Sequence, residues 1–176
     1  MLVTDNEALA RRAKYLTTQA KDDPVEFVHG AVGYNYRLTN IQAALGCAQL
    51  EQLATFLRAK RRIFDTYAEA FESVPGITLM PESTEVTSAR WLSTILVDKS
   101  AYGRDSHQLM DDLAEAGIQS RPLWQPLHRS PAHPDGHRDC PVADSIHARA
   151  LSLPSSVGLE PSEQSVIINR IRSLSK

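Results

Sequence analysis

The chain has 176 residues, a hydrophobic content of 42%, a charged content of 23% and a formal net charge of −2. This is the composition of an ordinary globular protein with a real core, and its charge gives no support to a nucleic-acid or membrane-surface role. No apolar run approaches membrane-spanning length, MLVTDNEALARR has too short an apolar part for a signal peptide, and Cys47 and Cys140, far apart with no CxxC, fit a reducing, cytoplasmic setting.

In chain order, MLVT predicts a short strand ending at Asp5. DNEALARRAKYL predicts a helix capped by Asp5 or Asn6, with Leu9, Ala10, Ala13 and Leu16 as its apolar stripe. Pro24, Gly30 and Gly33 make residues 17–37 an irregular loop. Thr39 to Gln42 fits a capping box that opens a helix with no forced stop before Ser73-Val74-Pro75-Gly76. Such a helix would run roughly 50 Å at 1.5 Å per residue, so it would bridge two domains or kink, with Gly46 the candidate kink. Ala43, Ala44, Gly46 and Ala48 together suggest close helix packing instead.

Beyond Pro75-Gly76 the texture changes to strand, strand, helix, strand, helix, strand, helix, which is a small α+β domain. ITLMP and ARWLSTILVD are the first two strands, the second with Trp91, Ser93, Ile95 and Val97 on one face. DSHQLMDDLAEAG is a helix with Gly117 just past its end. IQSRPLW is extended, QPLHRSPAHPDGHRDC is a loop, and ADSIHARALSLP turns from helix to strand. PSEQSVIINRIRSL is a terminal helix with Val166, Ile167, Ile171 and Leu174 apolar.

Two stretches carry candidate chemistry. In HGAVGYNYRLTNIQAALG, Asn35 can donate through its amide, Arg37 can fork onto a phosphate or carboxylate, and the helix start favours an anion. Equally, Tyr34 and Tyr36 can pack at the helix entrance while Arg37 pairs with a surface acid. In RPLWQPLH, Trp124 could stack on a base or sugar and Arg121 could bind an anion, or the tryptophan could cover the edge of the core. His128, His133, His137 and Cys140 match no standard zinc spacing, so solvated histidines and no metal are expected. None of the five lysines has the context of a nucleophilic amine; Lys14, Lys21 and Lys60 are expected on helix surfaces or in a solvated loop.

HGAVGYNYRLTNIQAALGCAQLEQL resembles the pattern GxNYRxxxxQAAxxxxQL of the DegT/DnrJ/StrS family of pyridoxal-phosphate-dependent sugar aminotransferases. VTDNEALARRAKYL, IQSRPLWQPLH and ALSLPSSVGLEPSEQ resemble further family segments in the same order. The likeness covers essentially the whole chain and only the C-terminal part of the family's length. It implies an α/β architecture, the C-terminal part of an aspartate-aminotransferase-like fold. Residues 1–57 would be a remnant of the large cofactor domain with the start of the linking helix, and residues 58–176 the small domain.

The resemblance also implies chemistry. The family uses a lysine that forms the Schiff base with pyridoxal 5′-phosphate, and a carboxylate on the pyridinium nitrogen that makes the ring an electron sink. Both lie in segments upstream of the position of Met1, so no catalytic residue is carried over. Asn35 matches the family asparagine that reaches the phosphate of the neighbouring subunit's cofactor, with Arg37 beside it. Tyr36, Arg121, Trp124 and His128 match or adjoin positions near a nucleotide-sugar site. The implied partners are a second copy in a homodimer, a full-length relative or a missing N-terminal half, and a nucleotide-linked keto-deoxy sugar. The rival expectation is a non-catalytic module that pairs with a full-length relative.

Overall fold

The computed structural model describes residues 2–23, 25–132 and 139–175, which fall into two compact units, Met1–Gln52 and Leu53–Lys176. The histidines His133 and His137 considered above lie outside the described residues.

In the first unit, Leu2–Thr4 form no strand, contrary to the reading of MLVT. A strand needs a hydrogen-bonding neighbour, and none stands beside these residues among those described. Helix α1 (Glu7–Thr17) starts where the cap predicts: the Asn6 carboxamide oxygen accepts the Leu9 N–H at 3.0 Å. The segment expected to be irregular instead holds a two-stranded ribbon, β1 (Lys21–Asp23) against β2 (Val28–His29). The turn between them is closed by Asp23, whose carboxylate accepts the N–H groups of Val25 and Glu26 at 2.7 and 2.9 Å.

Helix α2 (Asn40–Phe71) is continuous for 32 residues. Gly46 does not interrupt it, and no neighbour packs there: a methyl group added at Gly46 would meet nothing within 4 Å among the described residues.

The second unit is built on a four-stranded antiparallel sheet in the order β3 (Ile77–Leu79), β4 (Ser93–Val97), β6 (Ala150–Leu153), β5 (Arg121–Pro122). Register sets Ile77 beside Val97 and Ile95 beside Leu151. Pro122 cannot donate to a ladder, and it sits on the edge strand. Helices α3 (Lys99–Tyr102), α4 (Ser106–Glu115), α5 (Pro141–Arg149) and α6 (Pro161–Ser173) complete the unit. Residues Leu127–Arg129 add a 3₁₀ turn inside the stretch expected to be loop.

The core joins one stripe of α2 (Ile63, Tyr67, Phe71) to Ile95 and Val97 of β4. Leu109 and Leu113 of α4, Leu151 and Leu153 of β6, and Ile167, Ile168 and Ile171 of α6 close it. The short α3 was not legible as a helix. Asp98 caps it, and Tyr102 is fully buried, with its hydroxyl donating to the Ile171 carbonyl at 2.6 Å. Two sequence expectations shift. Trp91 lies before β4 and is exposed rather than on an inner strand face. Val166 is exposed, and Ile168 takes its place, because Gln164, Ile167, Ile168 and Ile171 share the helical face turned to the core.

Candidate functional site

The segment Gly33–Arg37 is framed by the end of α1. Tyr34 and Tyr36 donate their N–H groups to the carbonyls of Leu16 and Thr17 at 2.7 and 3.0 Å, and the Gln19 N–H returns to Tyr34 at 3.0 Å. Gly33 is required for this approach, since a Cβ there would stand 2.3 Å from the Gln19 carbonyl carbon. Alternation along the extended chain puts Tyr34 and Tyr36 on one side, where their rings stack at 5.3 Å. Asn35 and Arg37 share the other side: Arg37 Nε donates to Asn35 Oδ1 at 3.2 Å. The Asn35 amide and the remaining Arg37 N–H groups are donors with no side-chain acceptor among the described residues, a pair that suits an anion.

The capping box predicted at Thr39 is present. The Thr39 N–H donates to Gln42 Oε1 at 2.9 Å, and the Gln42 N–H donates to Thr39 Oγ1 at 3.3 Å. The start of α2 is therefore partly satisfied by its own cap. The Asn40 and Ile41 N–H groups are the first-turn donors with no acceptor among the described residues.

In the second unit, Arg121 and Trp124 share a cleft of about 820 Å³ between the end of α4, β5, the turn after β6 and α6. Its aromatic wall is Trp124 stacked on Trp91, ring centroids 5.6 Å apart and planes 12° from parallel. The Arg121 main chain pairs with Ser152 in the sheet, while its guanidinium has no hydrogen-bond or ion-pair partner among the described residues and faces the cleft as a free donor.

Lys60 also lines this cleft. It is not the solvated lysine that the sequence suggested: its ammonium donates to the Trp91 carbonyl at 2.8 Å and to the Ser155 carbonyl, and partial burial lowers its pKa. A signal for this was present. Lys60 continues the buried stripe Ile63, Phe64, Tyr67 and Phe71 at helical spacing, which places it half-buried on the helix rather than in open solvent. Ser120 was missed too: its hydroxyl is buried on the cleft wall without a partner among the described residues.

His128 stands apart from the cleft lining. Half-buried in the 3₁₀ turn, its Nε2 lies 3.0 Å from Asp144 Oδ1 of α5, and Arg129 Nε reaches the same oxygen at 2.6 Å. Desolvation pushes the Asp144 carboxyl up, but Arg129 and His128 outweigh it and hold the group below the usual range. The histidine thus anchors the loop to α5 rather than standing free in solvent. Asn35, Tyr36 and Arg37 belong to the first unit, Arg121, Trp124 and His128 to the second.

The architecture is that of the aminotransferases. The crystal structure of the aminotransferase TlmJ from Streptoalloteichus hindustanus superposes with a TM-score of 0.83 at 25% identity, covering 97% of this chain and 45% of that one. Residues 1–172 match the DegT/DnrJ/EryC1/StrS aminotransferase family, and the chain belongs to it. It is 36% identical over 173 residues to EpsN of Bacillus subtilis (strain 168), covering 96% of this chain and 44% of that protein. It is 34% identical over 168 residues to the GDP-perosamine synthase of Escherichia coli O157:H7, with the same shares covered. The chain thus spans less than half the length of the curated relatives it matches. No helix among the described residues is long and apolar enough to cross a membrane.

Proposed function

We infer that the chain is the C-terminal portion of a pyridoxal-phosphate-dependent aminotransferase that acts on a nucleotide-linked keto-deoxy sugar with an amino-acid donor. The family match along residues 1–172, at under half the relatives' length, carries this reading. Pyridoxal phosphate, when bound, supplies the electron sink for amino-group transfer. The free donors of Asn35 and Arg37 suit the phosphate of that group. These two residues would hold it in a site completed by a second copy or a longer relative. Tyr36, Arg121, Trp124 and His128 are assigned to the nucleotide sugar. Trp124 offers a ring face and Arg121 a guanidinium for phosphate, while His128 fixes the loop that follows.

The chain by itself is not expected to transaminate. None of its lysines lies in a segment resembling the one that carries the family's Schiff-base lysine, and Lys60, the one lysine lining the cleft among the described residues, has its amine held by two carbonyls. The test mixes the purified chain with pyridoxal phosphate, glutamate and a GDP-linked 4-keto-6-deoxy sugar. The expected result is no turnover by the chain alone and no lysine-dependent change in cofactor absorbance. Robust turnover would overturn the reading.

A second reading is a non-catalytic module that pairs with a full-length relative. It is favoured by the apolar side chains that the first unit leaves exposed, among them Val32, Tyr36, Leu38, Ile41 and Leu45. Co-elution with such a relative, with no gain in its activity, would select this alternative.

A further inference from the structure

Both tryptophans of the chain, Trp91 and Trp124, stand in one cleft. They stack although Trp91 is 65% and Trp124 64% exposed, so burial alone does not hold them. Trp91 ends a long segment between β3 and β4 that has no regular structure of its own. Three neighbouring residues of α2 pin that segment. Arg61 donates to the Ser88 carbonyl at 2.8 Å, the Phe64 ring lies 3.7 Å beneath the Arg90 guanidinium, and the Lys60 ammonium takes the Trp91 carbonyl. The same ammonium takes the carbonyl of Ser155, on the turn that forms another side of the cleft.

We propose that Lys60 is a positioning residue of this cleft. By tying the main chain at Trp91 to that at Ser155, it sets the two-indole wall against which the base of a nucleoside diphosphate packs, with Arg121 at the phosphates. The choice of ligand rests on the function proposed above; the latch rests on the Lys60 contacts alone. A ring stack suits any base face, and an unpaired guanidinium suits a diphosphate. Trp91 thereby becomes a binding residue alongside Trp124.

Because the chain has two tryptophans and both are here, its indole signals report on this cleft alone. The experiment records the exciton signal of the coupled indoles by circular dichroism, and fluorescence quenching on titration with GDP and with UDP. Lys60→Met is expected to lose the exciton signal and weaken nucleotide binding about tenfold, while still melting cooperatively. Lys60→Arg, which keeps the cation, should retain most of both. A folded Lys60→Met with an unchanged exciton signal overturns the latch. Trp91→Phe leaves the main-chain contacts of Lys60 in place, so it tests the wall even if Lys60→Met does not fold. It should weaken the nucleotide to a similar degree, and unchanged affinity overturns the wall. Loss of the exciton signal in Lys60→Met, in a wild-type chain that binds neither GDP nor UDP, overturns the nucleotide assignment and the substrate site proposed above while upholding the latch.

Discussion

Glu82 is the carboxylate around which the segment before β4 folds. It accepts from Arg61 at 3.2 Å, from Arg90 at 2.9 Å and from the Ser88 N–H. The Arg61 hydrogen bond, followed by that N–H, holds its pKa at about 2. A carboxylate whose folded pKa is depressed contributes stability above its unfolded pKa and loses it as pH falls through the folded one. The stability of the second unit should therefore fall between about pH 4.5 and pH 2. Thermal melts across that window should show a shallower acid limb in Glu82→Gln than in the wild type. Tyr102 gives a second residue-level test. Its buried hydroxyl donates to the Ile171 carbonyl, its one acceptor among the described residues, and burial raises its pKa to about 12. Tyr102→Phe should lower stability by about 1 kcal/mol in denaturant titration.

Among the elements, the turn from α2 into β3 leaves no room for a side chain. Gly76 has φ +77°, and a Cβ there would lie 2.5 Å from the Tyr102 nitrogen and 2.7 Å from the Asp98 carbonyl oxygen. Gly76→Ala meets both the left-handed backbone and backbone atoms of α3, so it should cost at least about 2 kcal/mol. Gly46 is the opposite case. It sits inside α2 with open space around it, so Gly46→Ala should stabilise the helix by about 0.5–1 kcal/mol. Denaturant titration of the two variants separates these signs. Alanine lowering stability at Gly46 would mean that a neighbour absent from the chain closes on that face.

For the whole molecule, the uneven distribution of burial matters most. Unit 53–176 has a closed core, whereas α1 buries no side chain and Ile41, Leu45 and Leu50 of α2 are exposed at 83%, 64% and 69%. Side chains of this kind at helical spacing are a contact surface. The chain should sediment as a concentration-dependent oligomer, and Leu45→Glu should shift it toward monomer without lowering the melting temperature of the second unit. A monomer at all concentrations would contradict this.

Local signals were legible in the sequence because their causes lie within a few residues. The caps at Asn6 and Thr39, the end of α4 at Gly117, and the strand–helix alternation after Pro75 all follow from backbone donors and side-chain periodicity. The NYR stretch and its family pattern were legible for the same reason: they are contiguous. The tertiary structure alone decided what depends on distant segments. It left Leu2–Thr4 unpaired, set a ribbon in residues 21–29, and turned Trp91 away from the sheet to meet Trp124. It also drew Lys60 onto carbonyls that lie 31 and 95 residues away in sequence. The place of Lys60 on the apolar stripe of α2 is readable from helical spacing, but which carbonyls meet its ammonium is not, because they come from distant segments.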